Sequence, residues 1–223
     1  MGKSLPLLVL FLIIITLGFF LHSKTETNKN VEKKEKSNMT ESSYDSSQNK
    51  KRVAMIIAFN NFKDEEYLDT KEELKKGSIE IEVVSNSIGI AKGVGGTKVE
   101  IKKTIKELNI DDYDGVVFIG GSGALENLDN SDSYKIAKEA ISKNKILAAI
   151  CISPVILAKS GVLNGKKATV WSSILDKSSI KELEKNGAIY LDQLVVVDGK
   201  IITGNGPKAA HQFGKTIVQE ILK

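Results

Sequence analysis

The 223-residue chain has one cysteine, two histidines and one tryptophan. A single cysteine, Cys151, cannot form an internal disulfide framework or a cysteine-rich metal site. The histidines, His22 and His211, lie far apart, and His22 abuts an apolar run, which argues against a catalytic zinc held by several histidines. No metal and no cofactor is expected. The chain also lacks a basic domain. Its formal charge is +4, from 32 Lys+Arg against 28 Asp+Glu. Residues 1–52 hold nine of the basic and five of the acidic residues, leaving 23 of each sign in residues 53–223. A neutral domain with no basic patch visible in sequence argues against nucleic acid as a partner.

What is present begins with Leu5–Leu21, LPLLVLFLIIITLGFFL, which is 17 residues without a charge. That length is the lower limit for a membrane-spanning helix and slightly long for a signal-peptide core. No small-x-small cleavage site follows, and no nearby cysteine is available to carry a lipid. Residues 1–22 are read as an uncleaved signal anchor, with a cleaved signal peptide as the alternative. Residues 23–51, rich in Lys, Glu, Ser, Asn and Thr, have too little apolar surface to offset the entropy of ordering and are read as a disordered polar tether. The Lys/Arg count beside the span favours a cytoplasmic domain, whereas the signal-like start and the polar tether favour export. The expectation is a membrane-anchored domain on the extracytoplasmic side, secreted if the segment is cleaved.

Residues 52–223 are a normal size for one domain with its own core. Val53–Phe59, Asp114–Ile119 and Ile146–Ile150 are short apolar runs that suit strands buried on both faces. Ile79–Val84 alternates like a strand. Helices are expected over Asp64–Lys76, closed by Gly77, over Ser133–Lys143, over Pro154–Ser160 and over Pro207–Leu222. Leu194–Val197 and Lys200–Thr203 are expected to form a hairpin around Asp198-Gly199. Alternating strands and helices imply an α/β fold with a mostly parallel sheet covered on both faces, and ligands then sit beyond the carboxyl ends of the strands.

Three features fall at that edge. In AAICISP, a buried strand runs into Cys151 and a helix starts within three residues, the layout of a nucleophile elbow. The helix N-terminus beside the sulfur is expected to lower the thiol pKa. A buried structural cysteine is the alternative. Gly120-Gly121 ends the neighbouring strand, and the Gly121 and Ile152 N–H groups are candidate oxyanion donors. A plain tight turn would also explain the glycines. Glu65 and Glu66 follow the first strand, where one can reach the sulfur, although acids at a helix start need no further reason.

The pieces FKDEEY, YDGVVFIGGSGALENL, ILAAICISPVILAKSGVLNGKKAT and VVVDGKIITGNGP, in this order and spacing, resemble the DJ-1/PfpI superfamily over residues 52–223. The resemblance implies a flavodoxin-like α/β sandwich of the class I glutamine amidotransferase-like type, and a homodimer. It makes Cys151 the reactive cysteine and Glu66 its glutamate. Gly121 and Ile152 match the oxyanion positions, and Gly120, Trp171, Asn205 and Pro207 line the pocket. The sequence also departs from the family pattern. Protease-like and many glyoxalase-like members carry His directly after the cysteine, where this chain has Ile152. Trp171 stands where another branch has a later His, and Asn205 where a pocket Arg is found. His211, in the last helix, is expected to be structural or surface-facing.

A cysteine peptidase needs a base to shuttle protons to the leaving group, so that activity is disfavoured. The Cys-Glu pair fits glyoxalase or deglycase chemistry on a small reactive carbonyl or a glycated protein. The alternative is a redox-sensing or protective protein without turnover, in which Cys151 oxidises to a stabilised sulfinic acid.

Overall fold

The computed structural model describes residues 50–223. The expected anchor and tether lie outside the described residues. Among the described residues, no helix is long and apolar enough to cross a membrane.

The strands are β1 (Arg52–Ile56), β2 (Asn60–Phe62), β3 (Glu80–Val84), β4 (Gly89–Gly93), β5 (Lys98–Ile101), β6 (Gly115–Phe118), β7 (Ile146–Ile150), β8 (Lys167–Ala168), β9 (Ile189–Tyr190), β10 (Val195–Asp198) and β11 (Ile201–Gly204). The helices are α1 (Asp64–Lys76), α2 (Ala124–Leu128), α3 (Ser131–Ser142), α4 (Pro154–Lys159), α5 (Ser178–Lys185) and α6 (Ala210–Leu222). The central sheet has six strands in the order β10-β11-β7-β6-β1-β3. All its pairings are parallel except β10 with β11, the antiparallel edge hairpin.

Period-two alternation in apolar strands explains the two cores. Val53 and Met55 of β1, Val117 of β6 and Ala148 of β7 face Tyr67 and Leu74 of α1 and Phe213 and Ile217 of α6. Ala54 and Ile56, Val116 and Phe118, and Leu147 and Ala149 face the other way, onto Ile136 and Ala140 of α3, Leu157 of α4 and Leu183 of α5. Both faces of β1, β6 and β7 are therefore buried, and the sheet is a mainly parallel α/β layer with helices on both sides.

Several boundaries differ from the sequence reading. The first strand stops at Ile56, because Ile57 and Phe59 already belong to the connection into β2. The last helix begins at Ala210 after a single 3-10 turn, Pro207–Ala209. The turn of the edge hairpin is Gly199-Lys200, since Asp198 still pairs with Ile201; Gly199, at φ 63°, takes the left-handed position. The sequence reading also passes over the three-stranded sheet β2-β4-β5 and the short β8-β9 pair. These strands are two to five residues long, too short to show an apolar period.

The chain crosses from one side of β1, through β3, to the other side at β6. The crevice of an open α/β sheet forms at this kind of reversal, beyond the strand carboxyl ends. The segments after β1, β6, β7 and β11 all leave the sheet at that edge.

Candidate functional site

Cys151 follows the last residue of β7 and has φ 64°, a left-handed conformation that a non-glycine residue adopts only under constraint. The constraint is visible in the backbone. The Cys151 N–H donates to the Gly204 carbonyl of β11 at 2.9 Å, and its carbonyl accepts from the Trp171 N–H at 2.8 Å. Ser153, fully buried, donates its hydroxyl to the Ile119 carbonyl at 2.9 Å and ties the turn to the end of β6. The chain then enters α4 with Pro154 in the first turn, where a missing N–H costs nothing. The result is a half-buried thiol on a sharp strand-to-helix turn.

Glu66 is fully buried in the first turn of α1. Its Oε2 accepts from the Gly120 N–H at 3.1 Å. Its Oε1 has no hydrogen-bond partner, and the Cys151 thiol beside the carboxyl favours its ionised form. Burial raises the Glu66 pKa from 4.5 to about 7, against the lowering effect of the thiol and the Gly120 N–H. The thiol is raised as well, by burial first, then by the charge and hydrogen bond of Glu66. The N–H groups of Gly121 and Ile152 hydrogen-bond to the sulfur and pull the other way.

This corrects the expectation of a lowered thiol pKa. The short α4 and two backbone donors do not outweigh desolvation beside an acid.

The glycines shape this contact. A Cβ on Gly120 would lie 2.5 Å from the Cys151 Cβ and 2.8 Å from Glu66 Oε2, so only glycine lets the carboxyl and thiol meet there. Gly121 has φ 116°, and a Cβ on it would lie 2.5 Å from both the Asn61 carbonyl oxygen and the Lys63 nitrogen. Trp171 borders the cysteine through its backbone, and its indole Cδ1 would be 3.2 Å from a Cβ on Gly206. Asn205 donates its N–H to the Leu194 carbonyl at 3.0 Å, and Pro207 is half-buried at the start of the turn before α6. Glu65 is separate from the pair: it is exposed and bonded to Lys63 at 3.0 Å.

His211 lies on α6 with its Nδ1 3.0 Å from Glu73 Oε1, and its side chain is half-exposed. Asp69, Glu72 and His211 place one ligand atom each within 4.8 Å of one another. The Lys76 ammonium, at 2.7 Å from Glu72 and 2.8 Å from Glu73, already supplies positive charge there.

Two positioning residues were not singled out in the sequence. Ser153 is one. The other is Asp64, at the start of α1, whose carboxylate accepts from the Gly95 N–H at 2.5 Å and the Thr97 N–H at 2.8 Å. Burial pushes this carboxyl up, and the bonds from Thr97 and Gly95 outweigh it, so its pKa is lowered overall. The signal in sequence was the glycine-rich tip Gly93-Val94-Gly95-Gly96: a Cβ on Gly93 would overlap the Asp64 carboxylate. Asp64 thereby clamps the β4–β5 tip onto the helix that carries Glu66. Asp64→Ala is expected to lower stability by about 2–3 kcal/mol, because two charge-assisted bonds are lost. Urea denaturation at neutral pH measures this, and a change under 0.5 kcal/mol (about the level of an ordinary surface substitution) would show that the clamp holds nothing.

A doubly covered α/β sheet with a cysteine on the elbow and a buried carboxyl beside it defines a class of nucleophile-elbow proteins. The comparisons place the chain within that class. The DJ-1/PfpI family model matches residues 51–220, and the chain belongs to that family. It is 42% identical over 173 residues to an uncharacterized protein of Methanocaldococcus jannaschii, covering 77% of this chain and 83% of that protein. It is 30% identical over 165 residues to the deglycase PfpI of Pyrococcus furiosus, covering 74% of this chain and 96% of that protein. Among solved structures, a ThiJ/PfpI domain protein from Brachyspira murdochii superposes with TM-score 0.72 at 28% identity, over 78% of this chain and 98% of that one. Drosophila melanogaster DJ-1beta superposes with TM-score 0.69 at 27% identity, over 78% and 91%.

Proposed function

We propose that the domain is a cysteine-dependent enzyme that converts small reactive carbonyls, of the methylglyoxal type, or removes them from their adducts. The observation that carries this reading is the buried Glu66 carboxyl, bonded to the Gly120 N–H and meeting the elbow cysteine across a position that only glycine can occupy. Relatives about 30% identical that bear the name deglycase support the reaction class.

The chemistry follows from one shared proton. With Glu66 as carboxylate, the thiol proton passes to it and the negative charge moves to sulfur, where the Gly121 and Ile152 N–H groups stabilise it. The sulfur adds to the aldehyde carbon, a C–S bond forms, and the carbonyl electron pair moves to oxygen, which takes the proton back from Glu66. In the resulting hemithioacetal, Glu66 removes the C1 proton and delivers it to C2 while the C1 hydroxyl proton passes to the C2 oxygen, giving the lactoyl thioester. Water then cleaves the C–S bond and restores the thiol. The sum is methylglyoxal plus water to lactic acid, with no external oxidant or reductant.

Purified protein incubated with methylglyoxal is expected to form lactate, and Cys151→Ser to form none above the uncatalysed rate. Equal rates from the two proteins would sink the proposal. A peptidase reading has less support, since Ile152 replaces the family His and His211 is engaged with Glu73. The sensor reading draws on the same contact: a protonated Glu66 could donate to an oxygen of a sulfinate on Cys151. Mass spectrometry after mild peroxide separates the two, because a sensor would be oxidised at Cys151 while forming no lactate.

A further inference from the structure

The loop from Trp171 to Lys177 carries the most exposed large apolar residues described: Ile174 is 95% and Leu175 97% exposed. Adjacent aliphatic side chains this exposed on an ordered loop need an occupant. The loop is a held turn. The Ser173 N–H donates to the Asp176 carbonyl at 2.9 Å, and the Asp176 N–H donates to the Ser173 hydroxyl oxygen at 3.0 Å. The Ser178 N–H donates to the Asp176 carboxylate at 2.9 Å. The acid inside the loop is exposed, with its carboxylate held by the Ser178 N–H, while Ile174 and Leu175 stand at the tip. Lys177, whose ammonium also reaches the Ser172 hydroxyl at 3.3 Å, and Lys181 follow in sequence and are exposed.

We infer that Ile174 and Leu175 insert into the interfacial layer of a lipid bilayer, with Lys177 and Lys181 against anionic headgroups. Two aliphatic side chains beside basic residues are the minimal form of an interfacial contact. The chain supplies a second argument for this occupant. A 17-residue uncharged apolar run precedes the domain, separated from it only by a polar linker, so a bilayer is the surface the sequence expects beside it. Trp171, three residues before the tip, is bonded through its backbone to Cys151. Docking would therefore hold the Trp171 backbone, bonded to that of Cys151, within roughly 10 Å of the tip, three extended residues away. This inference concerns the surface alone and is independent of the proposed reaction.

The test uses residues 50–223, which fold without the preceding segment: both cores lie within residues 53–221. The Pyrococcus furiosus relative, moreover, is matched over 96% of its own length by this region. The domain is floated with phosphatidylcholine vesicles containing phosphatidylglycerol, and with pure phosphatidylcholine vesicles. Binding to the anionic vesicles is expected, with the bound fraction falling more than tenfold in Ile174→Ser/Leu175→Ser and several-fold in Lys177→Gln/Lys181→Gln. Acyl chains brominated near the headgroup are expected to quench Trp171, the sole tryptophan, in the wild type only. Melting curves of both variants should match wild type, because the substituted side chains are exposed. No binding to anionic vesicles, or equal binding by the serine variant, overturns the inference. So does a dimer in sedimentation equilibrium that the serine variant dissolves while vesicles leave it unchanged, which would make a second copy the occupant.

Discussion

Glu66→Gln is expected to make the protein more stable at pH 8 and less active, two effects of opposite sign from one carboxyl. The stability effect follows from linkage. The folded-state pKa is about 7 against 4.5 for the free group. A raised acid contributes stability that is fully present below pH 4.5 and is lost as pH rises through 7. A gap of about 2.5 pKa units corresponds to about 3 kcal/mol at pH 8. Glutamine keeps the acceptor for the Gly120 N–H and carries no charge at any pH, so it escapes that loss. The variant should melt about 10 °C above wild type at pH 8 and level with it at pH 4. Turnover of methylglyoxal should fall by about 10²–10⁴, the usual contribution of a positioned acid–base group. Melting curves at the two pH values, with lactate assays at pH 7–8, check both. A variant less stable than wild type at pH 8 would mean that Glu66 is ionised and well solvated in the fold, contrary to its burial.

Gly121→Ala is expected to destabilise the domain by about 3–5 kcal/mol, the range of severe single substitutions. Two separate costs add. The φ of 116° lies outside the regions an L-residue adopts, and the new Cβ would meet two backbone atoms at 2.5 Å, neither of which can rotate away. Gly161 provides the control. Its φ is 87°, yet nothing lies within 4 Å of a Cβ there. Gly161→Ala should therefore cost only the conformational part, about 1–2 kcal/mol. Chemical denaturation of both variants separates strain from collision. If the two cost the same, the close approach of Asn61 and Lys63 to the glycine has no energetic weight.

Much of the site could be read from the sequence because its markers are local. ILAAI running into Cys151 and Pro154 is a strand, turn and helix start within nine residues, and each piece has its own chemistry. Glu66 sits in a helix whose bounds, Asp64 to Lys76, the acidic first turn and Gly77 also gave away. Trp171 and Asn205 were harder, since they lie 20 and 54 residues after the cysteine and only resemblance pointed to them. Asp64 and Ser153 were passed over because an Asp at a helix start and a Ser before a Pro each have an ordinary local explanation. Their partners, Gly95, Thr97 and Ile119, are remote in sequence.

The sequence by itself determined the α/β class, the covered parallel strands, the elbow cysteine and the charge asymmetry that places the +4 in residues 1–52. Those properties follow from side-chain period and composition, which need no knowledge of neighbours. The tertiary structure decided the electrostatics. A helix start next to a lone thiol reads as an activating dipole, but folding buries Glu66 against the sulfur, and desolvation then raises both groups. Burial is a property of the whole packed sheet, so only the fold could reverse the sign of that shift.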